Sequence, residues 1–229
     1  MSSRRRFFLT FISIIIDAAL LVGFFVVRDA AMLNVLKKEV SSLSELDMTK
    51  DRYNTKIKTR GSYQKIEKEM KSYLDHDAVL LQDSMKIVKD SKLTSILSYE
   101  NYEKDGPEFQ DSLSYLNQTK KEFDQNMDTV ISDLEEEAIS KYASRKFNNK
   151  ESRDLFIEFM DSMKNDFVDN KELFHQNKDR IDHILDVSIQ VLNFLVANKE
   201  DWVLEEGEIR FRTDALYNQY MEYINSLNV

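Results

Sequence analysis

Residues that break helices are scarce in this chain. Four glycines (Gly23, Gly61, Gly106 and Gly207) and one proline, Pro107, punctuate 229 residues. Tight turns draw on these residue types, because glycine reaches positive φ freely and proline carries a preset φ. A protein of many short strands cannot be assembled with so few. Apolar residues instead recur at three-four spacing over long stretches, the mark of helices with one buried face. The fold class is mainly α.

One stretch departs from the amphipathic pattern. Residues 7–27, FFLTFISIIIDAALLVGFFVV, are apolar almost throughout and directly follow Arg4-Arg5-Arg6. At about 1.5 Å per residue, a helix of this length spans the roughly 30 Å hydrocarbon core of a bilayer. A secretory signal has a shorter apolar region, about 7–15 residues, and ends in a small-residue cleavage site. Val27-Arg28-Asp29-Ala30-Ala31 does not supply one. Residues 7–27 therefore read as a transmembrane anchor, placing the chain in the cell membrane by a single pass. Arginines flanking a span tend to stay in the cytoplasm. On that rule 1–6 form a short basic cytoplasmic tail and 28–229 an extracytoplasmic bundle, although Arg28, Lys37 and Lys38 dilute the signal. Asp17 lies mid-span, where a carboxyl is costly; it is a candidate for pairing with a partner's membrane helix or with a second copy.

Charge and cysteine content narrow the partners. Setting aside Arg4, Arg5, Arg6 and Asp17 leaves 29 basic and 40 acidic residues in 28–229, a net charge of −11. Nucleic acid and anionic lipid surfaces demand concentrated positive charge, so neither is the expected partner. The absence of cysteine removes disulfides, thiolate metal sites and cysteine nucleophiles together.

Beyond the anchor the stripes mark four long helices. The first carries Leu33, Leu36, Val40 and Leu43; its stripe fades over 49–60, and Gly61 ends the segment. The second runs from Ser62 to Asp90 with Ile66, Met70, Leu74, Leu81 and Met85 on one face. A connector with one short helical turn leads to Asp105-Gly106-Pro107, where proline suits the first turn of the next helix. That third helix holds Phe109, Leu116, Phe123, Val130, Leu134, Ala138 and Tyr142 in one stripe, ended by the polar turn 146–150. The fourth keeps a single phase from Leu155 to Leu195, which implies one helix of roughly 48 residues, about 70 Å long. Helices of that length imply an elongated antiparallel bundle with coiled-coil-like seams. If the second and third helices fold back about a connector over 90–107, Asp77 faces Lys120, and the two are expected to form a partly buried pair that fixes register.

The last thirty residues change character. Trp202-Val203-Leu204-Glu205 and Glu208-Ile209-Arg210-Phe211 flank Glu206-Gly207, so 201–212 read as a β-hairpin. That register sets Trp202 opposite Phe211 and Leu204 opposite Ile209, all on one face. Thr213 or Asp214 then caps a terminal helix over 213–228. The four hairpin residues form either a clasp closing the bundle end or a pocket for an aromatic ligand.

No chemistry announces itself. His175, Asp179 and His183 recur every four residues, but on a solvated face, with the outer two about 12 Å apart along the axis, too far to share a metal ion. No nucleophile-base pair, phosphate loop or paired-carboxylate cleft can be drawn from the inventory, so no enzyme activity, cofactor or metal is expected. What remains is a structural or protein-interaction role in the cell envelope, through a protein partner or self-association. The rival is a ligand-binding or sensory module working with a membrane partner.

Overall fold

The computed structural model describes residues 29–227, except 169 and 170 and the side chains of 164–171 and 173. The basic tail, the expected anchor and Asp17 lie outside the described residues. Among those described, no helix is long and apolar enough to cross a membrane. The elements in order are α1 (29–44), α2 (Ser62–Val88), α3 (Ser91–Thr94), α4 (Tyr99–Asp105), α5 (Gln110–Asp133), α6 (Glu136–Lys146), α7 (Lys150–Val168), α8 (Lys171–Ala197), β1 (Trp202–Glu205), β2 (Glu208–Phe211) and α9 (Asp214–Ser226). They form a helical bundle with one small hairpin.

α1 buries Leu36, Val40 and Leu43, the expected stripe, and stops at residue 44. A tight turn follows, in which the Asp47 carboxylate accepts from both the backbone N–H and the hydroxyl of Thr49. Residues 51–60 then run as an irregular strap along α2. Hydrophobic burial does not hold most of this strap in place; a buried polar network does. Lys71 of α2, 2% exposed, pairs with Glu39 of α1 at 2.7 Å and Glu67 at 2.6 Å, and donates to the Lys56 carbonyl at 3.0 Å. Glu67 also accepts from the backbone N–H of Lys58 and Thr59 and from the Thr59 hydroxyl. Burial by itself would raise the Glu67 and Glu39 carboxyls, but hydrogen bonds from Lys71, with Thr59 or Lys58, outweigh it and hold both low.

The connector between α2 and α5 is more structured than its sequence suggests. Asp90 caps α3 and Ser98 caps α4, each accepting a backbone N–H with its side chain. The Gly106–Pro107 peptide is cis, and α5 begins only at Gln110. Pro107 thus sits in the turn rather than in the helix's first turn. A Cβ on Gly106 would lie 2.4 Å from the Tyr102 carbonyl oxygen, so the closure of α4 onto this turn requires glycine. Phe109 has φ 48, unusual for a bulky residue; its fully buried ring stacks on Trp202, which anchors that backbone.

The third helix is two. α5 ends at Asp133, Glu135 adopts an extended conformation, and α6 restarts with Glu136 and Glu137 in its first turn, where acidic groups favour a helix N-terminus. The break shifts the buried face by one residue, from the expected Ala138 and Tyr142 to Ile139 and Ala143. For the fourth helix, α7 and α8 flank residues 169 and 170, so its continuity falls outside the described residues. α5 packs antiparallel to α2 and to α8: Tyr73 donates to the Asp133 carbonyl, and Lys178 meets Asp124 at 3.1 Å.

Candidate functional site

The hairpin has the expected register, Trp202 opposite Phe211 and Leu204 opposite Ile209, with Glu206 and Gly207 both at positive φ as a two-residue I′ turn demands. Its inner face is packed. The Trp202 indole N–H donates to the Leu195 carbonyl at 2.8 Å and the ring stacks on Phe109. Phe211 lies against Phe194 and Tyr220, and the Tyr102 and Tyr220 hydroxyls meet at 3.3 Å. Val203, on the opposite face, is 59% exposed. The clasp is filled by the protein's own rings.

Asp77 and Lys120 are not paired. α3 and α4 lengthen the connector and offset the two helices, so that Asp90 receives the Tyr115 hydroxyl at 2.8 Å and Tyr73 reaches the Asp133 carbonyl. In this register Asp77 lies beside Asp133, roughly three and a half turns of α5 from Lys120. Lys120 turns instead to α8, with Asp186 at 3.2 Å and Asp182 at 3.9 Å. His183, of the face judged solvated, is exposed and bonds the Ser226 carbonyl at 2.8 Å.

Two features that periodicity did not single out have more chemical content. The larger is a cavity of about 810 Å³ between α1, the turn after it, α2, α5, α7 and α8. Its walls include Leu43, Leu74, Leu81, Phe123 and Ile181, together with Met48, Met85, Met127 and Met163, four of the nine methionines. Unbranched thioether side chains let such walls conform to flexible apolar shapes. Polar residues line it too: Ser44, Asp47 and Thr49 from α1 and the turn after it, and Asn177, Lys178 and Arg180 from α8, with Lys178 paired to Asp124 and Asp182. Tyr53 donates its hydroxyl to the Leu46 carbonyl, and burial pushes that phenol up to about 12, keeping it neutral. Ser84 lines the wall with a buried hydroxyl that has no partner among the described residues. Ten of the apolar lining positions, from Leu43 to Ile181, read from sequence as ordinary core. An apolar stripe reports which way a residue faces, not whether the space it faces is full.

The smaller is a cavity of about 460 Å³ lined by Tyr73, His76, Asp133, Lys141 and Arg145, among others. At its edge one ligand-capable atom each from His76, Asp77 and Asp133 lie within 4.8 Å of one another. Asp77 is 0% exposed, and no donor among the described residues reaches either of its carboxyl oxygens. Burial, with the neighbouring Asp133 charge, pushes the Asp77 carboxyl up to about 8. Adjacent His76-Asp77 on α2 carries no recognisable motif, and its meeting with Asp133 depends on the interhelical register.

Comparison of the chain with protein-family models, curated proteins and solved structures finds no match.

Proposed function

We propose that this chain is a membrane-anchored, extracytoplasmic helical bundle that works by binding, and that its ligand is a long-chain lipid or fatty acid held between the helices. The observation that carries this reading is the 810 Å³ apolar cavity. That volume falls within the roughly 300–1,000 Å³ usual for small-molecule sites. Methionine-rich walls suit a flexible acyl chain better than a rigid polar metabolite, and Arg180, an exposed cation in the lining, suits a carboxylate headgroup. This reading takes up the ligand-binding alternative to the structural or protein-interaction role, and the space between the packed helices supports it. An anchor over residues 7–27 would keep the bundle beside a bilayer, a reservoir of such ligands.

The test is saturable binding of radiolabelled palmitate to the full chain in lipid nanodiscs, measured against empty nanodiscs. One site per chain is expected, with affinity falling about tenfold for each two methylenes removed, since a buried methylene contributes about 0.8 kcal/mol. Leu81→Trp and Met127→Trp, which fill the cavity, should abolish binding while leaving the helical content unchanged. No binding above empty nanodiscs, together with specific co-purification of a membrane protein, would return the account to an interaction role.

A further inference from the structure

We propose that His76, Asp77 and Asp133 form a site for one divalent first-row transition cation, of the Mn²⁺ to Zn²⁺ class, opening onto the smaller cavity. The starting point is a buried carboxyl whose nearest titratable neighbour is a second acid. Asp77 is fully buried, no donor among the described residues reaches either of its oxygens, and its ionised form faces the like charge of Asp133. A charge removed from water needs a counter-charge or hydrogen bonds, and the cation expected from sequence, Lys120, is engaged on α8. Directly beside Asp77 stand a second carboxylate and an imidazole, with ligand atoms within 4.8 Å of one another. Three ligands on one ion at about 2.1 Å lie about 3.0–3.4 Å apart, so modest side-chain rotation closes the set.

The ligand types select the ion. Two carboxylates supply the charge, while the imidazole disfavours Ca²⁺ and Mg²⁺, which take oxygen ligands, and favours transition ions. Asp133 is the last residue of α5, where the negative end of the helix dipole further attracts a cation. His76 is exposed and Asp133 half-buried, so the ion has an entry path and positions left for water. Lys141 and Arg145 line the same cavity, and their charges weaken the site.

The test strips the full chain in nanodiscs with EDTA and titrates ZnCl₂ and MnCl₂ by calorimetry. One ion per chain is expected. His76→Gln, at an exposed position that the fold does not need, should weaken binding at least about tenfold. Asp133→Asn should abolish it, and His175→Gln with His183→Gln should change nothing. No heat up to millimolar metal would overturn the site and leave the two carboxyls as a proton-sharing pair. Binding that persists unchanged in His76→Gln would also overturn it, placing the ion elsewhere on the acidic surface.

Discussion

Lys71→Met breaks the buried network at its centre. Lys71 is the ammonium shared by Glu39 and Glu67, at 2.7 and 2.6 Å, and all three side chains are 4% exposed or less. Removing one partner of a buried ion pair costs about 3–5 kcal/mol because the remaining charge is stranded. Here the stranding is partial. Glu67 keeps two backbone N–H groups and the Thr59 hydroxyl, and Glu39 keeps Lys58 at 2.5 Å. The lower end, about 3 kcal/mol, is therefore expected. With a urea m-value of about 2–3 kcal/mol/M, the unfolding midpoint should fall by about 1–1.5 M. Adding Glu67→Gln, which removes one stranded charge, should recover on the order of 1 kcal/mol. The local signature is faster proteolysis within 51–60, since the strap loses the bond from Lys71 to the Lys56 carbonyl and the charge that holds Glu39 and Glu67 together. A midpoint within experimental error of the parent, or identical losses in the single and double variants, would refute the claim that this network holds the strap.

Three further outcomes follow from named contacts. Asp77 has a carboxyl raised from 3.8 to about 8, so its contribution to stability is complete below pH 4 and drains as pH rises towards 8. In EDTA, Asp77→Asn should therefore gain on the order of 3–5 kcal/mol over the parent near pH 8 and nothing near pH 4; parallel profiles would contradict this. Trp202→Ala removes the ring stacked on Phe109 and should cost about 3–5 kcal/mol in urea unfolding while leaving palmitate binding intact, because the clasp lies away from the cavity. Gly106→Ala drives a Cβ to 2.4 Å from a backbone oxygen and should lower stability by about 1–3 kcal/mol, read as a lower thermal midpoint.

Local features were legible and long-range ones were not. The hairpin register was readable because strand alternation and the Glu206-Gly207 turn are encoded within ten neighbouring residues. Helices α2 and α8 were readable from stripes that no breaker interrupts. The break at Leu134-Glu135 was missed because a one-residue phase shift leaves a stripe that still looks helical. The Asp77–Lys120 pairing failed for a related reason. It assumed a flush hairpin of helices, whereas α3 and α4 occupy the connector and move Asp77 to Asp133. The network tying Glu39, Lys58, Glu67 and Lys71 joins residues up to 32 positions apart, and no spacing rule connects a helix to an irregular strap. The cavity was invisible because its lining residues are the right type for a filled core. A concentration of methionine was the only sign of adaptable walls.

Photocrosslinking tests the binding claim most directly, because it reports position as well as occupancy. The full chain in nanodiscs would be irradiated with a long-chain fatty acid bearing a diazirine near its tail, and the adducts mapped by mass spectrometry. Adducts are expected on the cavity wall, at Met85, Met127 and their neighbours, and should be competed away by unlabelled palmitate and lost in Leu81→Trp. Labelling confined to residues 7–27, unaffected by competitor or by the filling variant, would mean that the acid merely dissolves in the bilayer around an anchor and that the cavity is not a binding site.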